Sequence, residues 1–298
     1  MSSGMTRAPG IEARSDAART RVAVPTRQAV MTQAREENFP VAIGLLGRRR
    51  KQALLAIYGA ARLIDDIGDE AAGDRGALLD WADAELDRAF SDDAVPEHPS
   101  MRVLQREARA HALPVEPFRR LVDANRMDQA VTRYDTFEDL VRYCDLSAAP
   151  VGELVLHAFD AATCERIALS DQVCAGLQVT EHIQDVPEDY ARGRVYLPRD
   201  DLVRIGCTEA DLATRAVTPE KRELIAFEVQ RARALLAAGA PLARTLPPRP
   251  RAAIAGFVAG GRATLDAIEA AGYDVWRTTP RRTRAGFARE LPGALVGR

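Results

Sequence analysis

The residues best suited to chemistry are carboxylates, gathered in two separated sets. The first is Asp65, Asp66 and Asp69, in the run Asp65-Asp66-Ile67-Gly68-Asp69. On a helix Asp65 and Asp69 stand one turn apart on the same side, with Asp66 adjacent. Like charges crowded this way are mildly destabilising unless something cancels them. Magnesium suits that task, because it takes carboxylate oxygens together with waters and phosphate oxygens. Arg62 precedes Asp65 by three residues, within reach to orient it or to grip a diphosphate with both arms of its guanidinium. A solvated acidic helix end is the ordinary explanation of such a triplet taken alone. Here it continues an apolar face carrying Leu54, Leu55 and Tyr58, which favours an inward outlook.

The second set is Glu181, Asp185 and Asp189, spaced every four residues, with Gln178 before them and Glu188 among them. One helix over 168–190 would align these acids along one side. Pro187 falls between two of them and removes a backbone donor, so a kink is expected there. Arg192, Arg194 and Tyr196 follow in Arg192-Gly193-Arg194-Val195-Tyr196-Leu197-Pro198. These arginines could seize a departing diphosphate; a basic surface turn is the equal alternative. Two acidic stripes in one helical chain suggest facing walls, with cations bridging them to a like-charged diphosphate.

Such walls need helices to hold them, and the chain supplies the pattern. From Thr26 onward the apolar spacing is mostly helical. It predicts helices over 51–70, 75–90, 100–111, 115–130, 136–146, 150–163, 168–190, 218–239 and 249–271. The runs 91–100 and 245–250 read as breaks, and 194–202 is the least helical part of the middle. Residues 1–24 read as a mobile arm, and 25–292 as one domain, since the Pro-rich breaks are short. The fold class is all-α, a single bundle around an apolar cavity.

Composition agrees. Hydrophobic residues make up 47% of the 298, enough for a sizeable core, while aromatics are only 5% and β-branched runs are scarce. A net charge of -2 excludes a general attraction to nucleic acid. Positive charge is almost all arginine, lysine occurring only at Lys51 and Lys221. Cys144, Cys164, Cys174 and Cys207 lack metal-binding spacing and read as reduced thiols. No secretory signal and no membrane-spanning stretch is found, so a soluble, cytoplasmic protein is expected. Three features read as ordinary: His182 as a helix-face residue, Arg48–Lys51 as a solvated helix start with lipid contact as a minor alternative, and Ala259-Gly260-Gly261-Arg262 as no dinucleotide fingerprint.

Together these residues resemble the squalene and phytoene synthase family over about residues 35–275. The likeness rests on Tyr58 and Arg62 before the first acids, Tyr134, Tyr143-Cys144, Pro150-Val151-Gly152, Gln178, the second acids and the Arg192–Pro198 run. The segment 268–276 looks like the end of the family's closing helix. The resemblance implies an isoprenoid synthase bundle with magnesium, or manganese, held by Asp65, Asp66, Asp69, Asp185 and Asp189. It implies substrate contacts from Phe39, Gln178, Glu181, Glu188, Arg192, Arg194 and Tyr196, and reaction roles for Tyr58, Arg62 and Tyr143. Glu37-Asn38-Phe39-Pro40, 147–152 and 178–185 look most like the bacterial hydroxysqualene synthases. That branch implies presqualene diphosphate as substrate, water as quencher and no NADPH. Squalene, presqualene diphosphate or phytoene synthesis from farnesyl diphosphate or other prenyl diphosphates is the rival reading, and a silent helical scaffold the rival of another class. Peripheral membrane contact is a further expectation. The chain departs from many members in carrying Glu181 where they have Asn, and Asp145 in place of a tyrosine.

Overall fold

A computed structural model describes residues 47–298, in which every regular element is helical except for one isolated parallel bridge between Arg133 and Val195. Phe39, Glu37–Pro40 and the 1–24 arm lie outside the described residues. Helix α1 (Arg48–Asp69) is the centre of one half. Ala53, Ile57, Ala60, Leu63, Ile64 and Ile67 on it are fully buried. Around α1 pack α2 (Arg75–Phe90), α3 (Pro99–His111), α4 (Glu116–Asp128) and α6 (Ala149–Ala158), with α5 (Phe137–Ser147) against α4 and α6. Helix α7 (Cys164–Gln184) plays the same part in the other half. It lies against α6, α11 (Pro219–Gly239) and α12 (Pro248–Ala270), after the short α8 (Val186–Ala191), α9 (Arg199–Ile205) and α10 (Glu209–Leu212). Helix α13 (Arg284–Leu295) packs on α12.

Local chemistry sets the ends of these helices. Asp74, Thr163, Thr218 and Thr283 accept backbone N–H groups at the starts of α2, α7, α11 and α13. Thr136 and Asp139 form a reciprocal capping box on α5. Each such cap contributes about 1 kcal/mol. Lys221 is wholly buried at the start of α11. Its ammonium donates to the carbonyls of Asp211 (2.7 Å), Thr214 (2.8 Å) and Ala216 (2.9 Å) and lies 4.0 Å from the centre of the Trp276 ring. The Trp276 indole donates to Leu212 O at 3.0 Å, so this one lysine fastens three segments together.

Four expectations are corrected. The helix expected over 150–163 stops at Ala158, and Asp160 turns left-handed at φ 57°. The helix expected over 168–190 is two, joined at Asp185. Helix α12 ends near Ala270 as expected, but it does not close the fold, because α13 follows. Finally, His182 is buried rather than on an open helix face. The four cysteines are free, Cys144 and Cys207 buried and Cys164 exposed. No helix among the described residues is long and apolar enough to cross a membrane.

Candidate active site

The first acidic wall is the last turn of α1, held in place by close contact with α4. A Cβ added at Gly68 would lie 1.9 Å from Asn125 Oδ1, so only glycine lets the two helices approach this far. The buried Asn125 uses that approach: its amide donates to Asp65 Oδ1 at 3.1 Å and to Leu121 O at 3.0 Å. Burial pushes the Asp65 carboxyl up to about 7, against the pull of Asn125 and Arg62. Asp69, one turn on, is exposed and pairs with Arg194 Nη1 at 2.8 Å. Asp66 faces elsewhere. It is 4% exposed, binds Arg62 Nε at 2.7 Å and does not line the cavity described below. The same helical geometry that aligns Asp65 with Asp69 rotates Asp66 by about 100° toward the turn that carries Arg62.

The second wall is a broken helix. The backbone bonds Asp185 N to Glu181 O (2.9 Å) and Asp189 N to Asp185 O (2.8 Å) persist across the joint. Pro187, in the first turn of α8, has no N–H to donate, and Asp185 itself leaves the helical region at φ -99°, ψ 10°. The break still leaves Glu181, Asp185 and Asp189 on the cavity. Burial and then Asp185 push Asp189 up to about 7, and burial and then Glu188 raise Asp185. Glu188 points away and pairs with Arg192 at 2.8 Å, both more than half exposed. Arg192 lines the cavity; Glu188 does not.

Gly193, left-handed at φ 82°, then reverses the chain. Arg194 N donates to Asp189 O at 2.8 Å and Val195 N to Thr132 O at 2.9 Å, which fixes where the next side chains go. Tyr196 is buried and stacked on His182 with ring centres 3.7 Å apart. Tyr143 and Tyr134 complete the aromatic group, each 5.7 Å from Tyr196. Burial and then Arg194 hold the His182 imidazole down at about 3, so it is neutral. Its Nε2 lies 3.3 Å from the Gln178 amide. Tyr143 donates to Asp128 Oδ2 at 2.7 Å. Burial pushes Asp128 up to about 6, and its Oδ1 has no hydrogen-bond partner among the described residues. Asn125 and Asp128 escaped the sequence reading; their only signal was a three-residue spacing on a helix already expected there.

The walls frame one end of a cavity of about 830 Å³. Tyr58, Arg62, Asp65, Asp69, Tyr143, Gln178, Glu181, Asp185, Asp189, Arg192, Arg194 and Tyr196 all line it, so sequence-distant residues meet there. Its remaining walls are apolar or small, among them Val155, Leu177, Gly256, Phe257, Phe287 and Leu291. Among the described residues no three His, Cys, Asp or Glu side chains are grouped closely enough to hold a metal unaided. The donors are carboxylate oxygens, several held by burial in an environment that resists their charge. That chemistry fits a hard cation completed by phosphate oxygens, as magnesium is usually bound.

The family model for squalene/phytoene synthase matches residues 32–288. The chain belongs to the squalene and phytoene synthase family. It is therefore an enzyme acting on isoprenyl diphosphates. Among its relatives, a hydroxysqualene synthase from Rhodopseudomonas palustris is 35% identical over 211 residues, 70% of this chain and 71% of that one. A phytoene synthase from Mycobacterium tuberculosis is 34% identical over 178 residues, 59% of this chain and 58% of that one. The crystal structure of the squalene synthase HpnC from Alicyclobacillus acidocaldarius is 44% identical, with a TM-score of 0.77 over 82% of this chain and 92% of that one. A dehydrosqualene synthase, 21% identical with a TM-score of 0.78 over 90% of this chain and 93% of that one, shares the fold. The all-α isoprenoid synthase architecture follows from these likenesses and from the helices themselves.

Proposed function

We propose that the chain converts presqualene diphosphate to hydroxysqualene. The carbon–oxygen bond to the diphosphate breaks and its electron pair leaves with the diphosphate. The cation rearranges, a water oxygen bonds to carbon, and a proton is released. No hydride donor enters this balance. The observation that carries the reading is the cavity itself, charged at one end and apolar along the rest, which matches a molecule with a diphosphate head and a long hydrocarbon body.

Asp65 and Asp69 on one wall, with Asp185, Asp189 and Glu181 on the other, would hold magnesium, or manganese in its place. Bound there, the metal supplies positive charge against the leaving group. Arg194, Arg192 and Arg62 add donors for the diphosphate oxygens. Asp66 is not among the proposed ligands, since it is turned away from the cavity that Asp65 and Asp69 line. Tyr143 donates its hydroxyl hydrogen bond to Asp128, so its oxygen keeps lone pairs that can orient a water. Asp128, whose carboxyl is protonated more readily than usual, is placed to receive the released proton through Tyr143. Tyr58 offers a ring face to a carbocation, while Tyr196, stacked on His182, lines the cavity as a substrate contact. Gln178, held beside His182, is a substrate contact, and the apolar walls exclude bulk water.

The test is product identification by mass spectrometry, with purified protein, magnesium and presqualene diphosphate but no NADPH. Hydroxysqualene is the expected product. Turnover of farnesyl diphosphate instead, with presqualene diphosphate untouched, would overturn the assignment. It would favour the head-to-head joining of two prenyl diphosphates, a reading supported by the likeness to phytoene synthases.

A further inference from the structure

The cavity is covered along one side by α13, whose Phe287, Leu291 and Leu295 line it at four-residue steps. The side chains that this helix leaves exposed beside that stripe include no acid: Arg284, Ala285, Ala288, Arg289, Pro292 and, just past its end, Val296, which is 51% exposed. Basic charge is concentrated around it. Residues 244–298 hold ten arginines against four acids, in a chain whose net charge is -2. Arg281 and Arg284 stand exposed at one end of α13. Arg244 stands exposed at the other, against Gly297. No ion pair joins any of these three to an acid among the described residues. By contrast Arg289 is tied to Asp266 and Arg277 to Asp274.

We propose that α13 and the arginines at its two ends form a docking surface for membranes rich in anionic lipid. Exposed arginines that no acid neutralises are drawn to anionic headgroups, and the small side chains between them let the helix lie close to a lipid surface. The docked helix is the same one that walls the cavity, so a hydrocarbon product has only one helix between it and the bilayer. That cargo rests on the reaction proposed above; the docking does not.

The experiment uses the full chain and two kinds of vesicle, phosphatidylcholine alone and phosphatidylcholine with roughly 30 mol % phosphatidylglycerol. Cosedimentation with the anionic vesicles only, weakened by salt, is expected. Arg244→Ala, Arg281→Ala and Arg284→Ala combined should weaken it on the order of 100-fold. The same three positions as lysine should retain binding, and Arg48→Ala with Lys51→Ala should leave it unchanged. Turnover without vesicles should be unaffected in all of them. Equal binding to both vesicle types, or undiminished binding by the triple alanine variant, would overturn the proposal. Vesicle binding without turnover of presqualene diphosphate would instead remove the reaction and leave the docking surface.

Discussion

The two acidic walls reach the same cavity by opposite means. The first is an unbroken helix whose inner side is buried in the core, and Gly68 lets α4 press against it until Asn125 touches Asp65. The second is a helix interrupted at Asp185 and followed by a turn. Its position is set by main-chain bonds such as Val195 N to Thr132 O. One wall is placed by packing, the other by backbone connection. Packing tolerates little change of shape, whereas a loop held at a few points can adjust.

Removing a carboxylate from either wall tests whether both are needed. Asp65→Asn and Asp189→Asn should each lower turnover by about 10²–10³-fold or more while leaving the circular dichroism spectrum intact. Unchanged turnover in either would reduce the site to a single wall. The glycines separate the two modes of construction. Gly68→Ala must push Asn125 aside and should cost roughly 1–3 kcal/mol in denaturant unfolding. Gly193→Ala meets nothing within 4 Å but must hold φ 82°, so about 1 kcal/mol is expected. A larger loss at Gly193 than at Gly68 would reverse the comparison.

Buried carboxyls outside both walls provide a control for burial alone. Glu228, 1% exposed, is pushed up to about 8 by burial, partly opposed by Arg231. The folded protein therefore holds a proton there that the unfolded chain releases near pH ~4.5, and stability must fall as pH rises from there to about 8. Glu228→Gln should flatten that slope and gain on the order of 2 kcal/mol at the alkaline end, read from thermal melts across pH. The smallest effect belongs to the exposed Glu188–Arg192 pair. Glu188→Gln should shift stability by less than ~0.5 kcal/mol, and turnover little, since Glu188 faces away from the cavity.

The bundle and most of the site were legible because helical periodicity is a strong signal when it runs unbroken. Leu54 to Asp69 illustrates it: the spacing that marks the apolar face also indicates which way Asp65 and Asp69 look. The same spacing does not tell Asp65 from Asp66. That choice is made by Arg62, whose guanidinium finds Asp66 one turn away. Asp128 was hidden for a different reason. Its importance comes from Tyr143 on another helix, and no local pattern records a contact between helices. Helix α13 was missed because Phe287, Leu291 and Leu295 are scattered among arginines and a proline, too thin an apolar stripe to stand out. The break at Asp185 was signalled by Pro187, but its effect on the acids was not: the backbone bonds across the joint keep them on the cavity.

Lys221, enclosed by three carbonyls and the Trp276 ring, has a practical corollary. The chain has one other lysine, Lys51, and that one is exposed. An amine-reactive dye or crosslinker should thus modify the native molecule at Lys51 alone, apart from the α-amino group, and reach the second lysine only after unfolding. Labelling stoichiometry by intact mass would report the folded fraction directly, with a fluorophore already anchored at the start of the helix that carries the first acids.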